Sequence, residues 1–212
     1  DIYHSNTVST IELTKIHRQA QKSGIIVRSR DIREGKPWFK HNQENTIEVA
    51  GELKDMTIDF NKDKDGLREK ILDYYKQYTE DGTIVKDIMD IQVLATMKER
   101  GEISVFNLNN DIQEYINPPS SFRTEIEVPV GKNKSFVIRD GDKVLCIRND
   151  YRVETTNRTK TAIFNGWTGR VVGINNHNKT IDIHFPITDT TVVLNQAQIK
   201  KNIMLGYAIT IH

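Results

Sequence analysis

The chain has 212 residues, with 30 Lys+Arg against 29 Asp+Glu and a formal charge of +1. That length holds one large domain or two small ones, and 37% hydrophobic residues suffice to bury a core. No apolar run reaches the roughly eighteen residues of a membrane span, and Asp1-Ile-Tyr-His4 is not the basic-then-apolar start of a signal peptide, so neither a membrane anchor nor a secreted product is expected.

Ile11–Ile16 alternates and predicts a strand, followed directly by His17-Arg18-Gln19-Ala20. Ser23 is placed to cap a helix running to about Glu34, with Ile25, Ile26 and Ile32 on one side and Gly35 as the stop. Residues 36–54 are polar and predict irregular chain around Trp38, before a strand at Asp55–Phe60. Asn61–Gly66 resembles a calcium loop but lacks the closing Glu, so Asp63, Asp65 and Gly66 read as a helix-start turn. Leu67, Ile71, Tyr74, Tyr75 and Tyr78 share a helical face, and core packing explains these rings more simply than base stacking.

Asp90–Ala95 predicts a strand, Thr96–Gly101 a loop and Val105–Tyr115 a helix that Asn117-Pro118-Pro119 ends. Residues 119–138 read as a linker, with Gly131–Ser135 an exposed basic turn lacking the spacing of a phosphate loop. Short strands then crowd together. They lie at Lys143–Ile147, Arg170–Ile174, Thr180–Phe185 and Thr191–Leu194, separated by the Gly141-Asp142 turn and by Asn165-Gly166, which suggests a primed turn with positive φ at both residues. This spacing predicts a small β-barrel.

Charge divides along the same line. Residues 139–212 carry ten Lys+Arg and six Asp+Glu, a net +4, whereas residues 1–138 carry a net −3. A basic subdomain is compatible with phosphate contact and equally with an ordinary solvated surface. The single Cys146 cannot form an internal disulfide, which fits a reducing cytoplasm, and the six His residues show no zinc-ligand spacing with it.

Four segments in order carry a resemblance. Gly141-Asp-Lys-Val144 with Arg148-Asn-Asp-Tyr151 and Phe164-Asn-Gly-Trp-Thr-Gly169 resembles the SH3-like barrel insert of RecD/TraA-type superfamily 1 DNA helicases. Leu13–Ala20 with Ser23-Gly-Ile-Ile26 resembles the start of that family's second motor domain. Val93-Leu-Ala-Thr-Met97, Gly101, Leu108-Asn109, Ile112-Gln113 and Asn117-Pro118 follow its V-L-[ST]-P-M-x-x-G, L-N-x-x-[IL]-Q and N-P pattern, with Thr96 where the family prefers Pro. Thr210-Ile-His212 matches the first positions of its T-[IV]-H-K-[SA]-Q-G motif. The motif stops short and the chain does not start with Met, so an excised piece of a longer protein is expected.

The resemblance implies an α/β fold. It would be part of a RecA-like parallel sheet, residues 1–138 completed by 204–212, with an SH3-like barrel inserted at 139–203. It implies the second motor half of an ATP-dependent DNA helicase, 5′ to 3′, serving repair, recombination or conjugation in the cytoplasm. ATP and magnesium would belong to the full-length protein, with none expected on the isolated piece, which lacks a phosphate loop and is expected to be inactive alone. Partners would be single-stranded DNA, the first motor domain of the same chain and other nuclease or helicase subunits, with no membrane.

Arg18 is the catalytic candidate, since a guanidinium fork suits the γ-phosphate; pairing with a carboxylate such as Glu12 is its structural alternative. Thr210, His212, Lys98, Arg148, Asn149, Tyr151, Asn165 and Trp167 are the nucleic-acid-binding candidates, combining charge with stacking surface. Thr210 equally suits a strand, Asn165 a turn, Asn149 a loop cap and Tyr151 a core, and Trp167 is open to exposure or burial. The competing function is a non-enzymatic nucleic-acid-binding module, whose barrel works without a motor.

Overall fold

A computed structural model describes residues 5, 7, 9, 20–39, 44–61, 66–80, 86–130 and 134–210. The predicted strand at 11–16, Arg18, His212, Asp63 and Asp65 lie outside the described residues. The chain forms two compact units, residues 1–65 and 66–212.

In the first unit, helix α1 (Gly24–Arg33) is capped as expected, Ser23 Oγ accepting from the Ile26 N–H at 3.2 Å, and Gly35 follows its end with φ +67°. Strands β1 (Thr46–Ala50) and β2 (Met56–Phe60) form an antiparallel hairpin. Strand β1 corrects the expectation of irregular chain throughout 36–54. Ile47 and Val49 do alternate with Thr46 and Glu48, but both apolar residues are exposed, so composition masks the pattern.

In the second unit, helix α2 (Leu67–Thr79) starts at Gly66 and buries Tyr75, so the packing reading holds for that ring, while Tyr74 is half-buried and Tyr78 exposed. A 3-10 turn at Ile88–Asp90 precedes β3, which is only Val93–Leu94, shorter than the strand expected over 90–95. Helix α3 (Val105–Ile116) is capped by Ser104 and buries Val105, Leu108, Asn109, Ile112 and Gln113, a complete one-sided stripe. The expected linker instead contains a hairpin, β4 (Glu125–Val130) on β5 (Lys134–Arg139). Ile126 and Val128 point into the core while glutamates alternate with them; Pro129 obscures the strand, although an edge tolerates proline.

Then come β6 (Lys143–Cys146), β7 (Asp150–Thr155), β8 (Lys160–Ile163), β9 (Thr168–Asn175), β10 (Thr180–Phe185), β11 (Thr190–Asn195), helix α4 (Gln196–Asn202), β12 (Ile203–Leu205) and β13 (Ala208–Ile209). Seven of these strands form one antiparallel sheet in the order β12-β6-β9-β10-β11-β7-β8. Among the described residues its ends, β12 and β8, do not pair, so the expected closed barrel is an open sheet. Irregularities in the ladders at Asp150/Val153 and Asp182/Ile183 break the regular pairing. Val144, Cys146, Val153, Ile163, Ile181, Ile183 and Leu194 are fully buried in one cluster with Tyr75 and Ile112.

The Asn165-Gly166 turn also differs from expectation. Only Gly166 has positive φ, +91°, with Trp167 N–H donating to Phe164 O at 3.1 Å. The turn joins β8 to β9, which are not neighbours, so no hairpin twist demands a primed turn. After the sheet the chain passes Gly206, and β13 pairs in parallel with β3, Ala208 opposite Val93.

Candidate nucleic-acid interface

Two loops bring five of the sequence candidates together. Residues 147–149 leave β6, and residues 164–167 enter β9. Asn149 joins them: its Oδ1 accepts from the Asn165 N–H at 2.8 Å, and its Nδ2 lies 3.4 Å from the Tyr151 hydroxyl. The Gly166 N–H donates to Cys146 O and the Cys146 N–H to Trp167 O, both at 2.8 Å. Cys146 Sγ donates to Arg148 O at 3.0 Å, and burial pushes its thiol pKa up, so the cysteine is a strut rather than a nucleophile.

The rings form a row. Tyr151 meets Phe164 edge-on at 5.8 Å, Phe164 lies 5.1 Å from Trp167, and Trp167 lies 5.7 Å from Phe185. Tyr151 is 66% exposed, Phe164 37%, and Phe185 is fully buried, so the row runs from solvent into the core. The Tyr151 and Phe164 planes stand at 85°, so a base could stack on either ring but not across both. Trp167 is half-buried and packs against the core, while Arg148, Asn149, Arg152 and Asn165 are exposed. The nearest acid on these strands, Asp150, is occupied by Asn202 Nδ2 at 2.8 Å and by the Arg152 N–H at 3.0 Å. Arginine charge beside open ring faces can hold unpaired nucleotides without reading sequence. Phe164 and Phe185 are absent from the sequence candidates; the Phe beside Asn-Gly is the signal that points to the first of them.

The other candidates sit elsewhere. Lys98 is exposed on the loop after β3 and lines a cleft with Phe106, Ile147 and Lys200. Thr210 is half-buried immediately after β13. Arg18 and His212 fall outside the described residues.

Several residues that carry the sequence resemblance are buried struts beneath this surface. The Asp142 carboxylate accepts from Gln113 Nε2 at 2.5 Å, Asn117 Nδ2 at 2.7 Å, the Arg139 N–H at 2.7 Å and the Tyr207 hydroxyl at 2.9 Å. Burial pushes its pKa above the ordinary carboxylate value, against the pull of those donors. Asn109 clasps Ala208, donating to its carbonyl at 2.8 Å and accepting from its N–H at 2.9 Å, which holds β13 against α3. Lys143 is 1% exposed and donates to Ile91 O at 2.7 Å, Ile88 O at 3.2 Å and Met89 O at 3.3 Å; burial lowers its pKa to about 8. These side chains tie helix α3, the 3-10 turn and the start of the sheet to the returning strand.

Residues 108–185, from within α3 to the end of β10, match the family described as the ATP-dependent RecD-like DNA helicase SH3 domain. The chain is also similar to the ATP-dependent RecD2 DNA helicase of Deinococcus radiodurans, 27% identical over 204 residues, which is 96% of this chain and 23% of that protein. Both matches are to RecD-type helicases, as the motifs in order imply, and the chain spans about a quarter of that relative's length.

Proposed function

We propose that this chain is the second motor domain, with its strand-contacting SH3-type insert, of an ATP-dependent 5′-to-3′ DNA helicase acting in DNA repair, recombination or conjugation in the cytoplasm. The observation that carries the reading is the parallel pairing of β13 with β3. The chain between them, which includes 139–203 and the match at 108–185, leaves from one and returns to the other of two adjacent parallel strands, as expected where an insert interrupts a RecA-like sheet. The domain division would be 1–138 with 204–212 for the motor and 139–203 for the insert.

In this reading Arg148, Asn149, Tyr151, Asn165 and Trp167 hold the single strand, and Lys98, Thr210 and His212 contact it from the motor side. Arg18 reaches the γ-phosphate of ATP bound with magnesium against the first motor domain, supplying charge stabilisation during phosphoryl transfer. ATP would rest mainly on the first motor domain, since this sequence lacks the spacing of a phosphate loop. The partners are single-stranded DNA, that first domain and other nuclease or helicase subunits.

The test is unwinding by the full-length protein on duplexes carrying a single-stranded tail at one end only. Unwinding that depends on ATP and on a 5′ tail is expected. Unwinding of 3′-tailed duplexes alone overturns the polarity, and DNA binding without any ATP-dependent unwinding favours the non-enzymatic module.

A further inference from the structure

A second feature of the same unit shares Ile147 with the loop at 147–149 but none of the rings of the row. Between α3, the loop after β3, α4 and β12 is a cleft of about 140 Å³. Phe136 in it is buried, and Phe106 and Met204 are half-buried; Lys98 and Lys200 in its lining are exposed, and Asn110 of α3 also lines it. The opening is well below the roughly 300 Å³ or more that a drug-sized ligand fills, so it has room for one flat ring rather than a whole nucleotide. Glu99 is the acid in the lining, against two lysines.

We infer that this cleft seats one nucleobase of single-stranded DNA, with the flanking phosphates on Lys98 and Lys200. The inference deepens the function proposed above and rests on it. Phenylalanine rings and a thioether give a flat base an apolar seat that tolerates any sequence. A lysine ammonium binds phosphate as a point charge without a fixed geometry, which suits a strand that must slide. Asn110 offers a donor and an acceptor to a base edge, and its side chain takes no part in the Asp142 or Asn109 networks. The cleft would give the strand a second hold, so that Lys98, remote from the row of rings in sequence, acts together with α4 of the insert.

The experiment uses the full-length protein and oligothymidylate containing 5-iodouracil. Ultraviolet crosslinking followed by peptide mapping is expected to place adducts on Phe106 or Met204, in addition to any on the ring row. Lys98→Ala with Lys200→Ala should reduce the slope of log affinity against log salt by about 1.4, near 0.7 for each single-strand phosphate that is no longer neutralised. Asn110→Trp, which fills the cleft, should weaken binding about fivefold to twentyfold. If Asn110→Trp does not fold, the wild-type crosslink map decides. Adducts confined to Tyr151, Phe164 or Trp167, or an unchanged affinity with the cleft filled, overturn the cleft as a seat while leaving strand binding intact. Absence of strand binding at any salt overturns the function proposed above together with the cleft.

Discussion

Lys143 illustrates how a single residue can be misjudged by type. It lies in a strand beside Val144 and would ordinarily turn to solvent, yet its ammonium ends on three main-chain carbonyls at 2.7 to 3.3 Å. Lys143→Met removes that donor and leaves the carbonyls without it, so stability should fall by roughly 1–3 kcal/mol at neutral pH. The pH dependence has a definite sign. The folded pKa, about 8, lies below the ordinary 10.5, so the folded state binds fewer protons than the unfolded chain between those values. Wild type should therefore gain stability relative to Lys143→Met as pH rises from 8 to 10.5, with a constant difference below pH 8. Denaturant melts of both proteins at pH 7, 8.5 and 10 measure this, and a difference that shrinks with pH contradicts it. Arg18 poses a functional question at the same scale. Arg18→Ala should lower ATP turnover of the full-length protein with saturating single strand, toward the 10³–10⁵ typical of arginine fingers, and Arg18→Lys should not restore it because a point charge lacks the fork. Steady-state ATPase beside thermal melts is the check: intact turnover, or a lowered melting temperature alone, makes Arg18 structural.

Elements meet where small residues and polar clasps permit. Gly206 lets the turn after β12 cross β6 closely; a Cβ there would lie 2.7 Å from Val144 C and 2.9 Å from its O. Backbone cannot yield as a side-chain tip can, so Gly206→Ala should cost about 1–3 kcal/mol, read as a lower denaturation midpoint with unchanged m-value. A midpoint equal to wild type would mean that the crossing relaxes freely. The two loops at 147–149 and 164–167 form a second such meeting, held by Asn149 and Cys146. Tyr151→Ala removes the most exposed ring of the row. Binding of single-stranded DNA should weaken by about 1–3 kcal/mol if that ring stacks a base, and folding should change little because its side chain faces water. Anisotropy titrations with a labelled oligonucleotide decide the matter, and unchanged affinity removes Tyr151 from the interface.

At the scale of the whole molecule, strand binding should weaken steeply with salt and show little sequence preference, since charge and stacking rather than base edges supply the contacts. Salt-independent affinity measured over a series of oligonucleotide sequences would contradict that. The pattern of some elements at this scale is legible in the sequence. Thr180–Phe185 alternates in burial at every position, and α3 shows its stripe at 105, 108, 109, 112 and 113. Strands β1 and β4 alternate too, but the apolar positions of β1 are exposed among polar neighbours and Pro129 interrupts β4, so neither stands out from a loop. Of the candidate interface, the charged and aromatic residue types are visible at 148–151 and 164–167, and their convergence is not.

Periodicity, capping residues and the order of motifs by themselves determined helices α1 to α3, strands such as β2, β6, β9, β10 and β11, the helix start at Ser23, and the resemblance to RecD-type helicases. These depend on neighbours within a few positions, which sequence records directly. Tertiary structure alone decided that the sheet stays open among the described residues, that β13 pairs with β3, and that Asp142 and Lys143 are buried. Each depends on groups distant along the chain, such as Tyr207 on Asp142 and Ile91 on Lys143. A charged residue becomes a core residue only where the fold delivers enough hydrogen-bond partners to replace water.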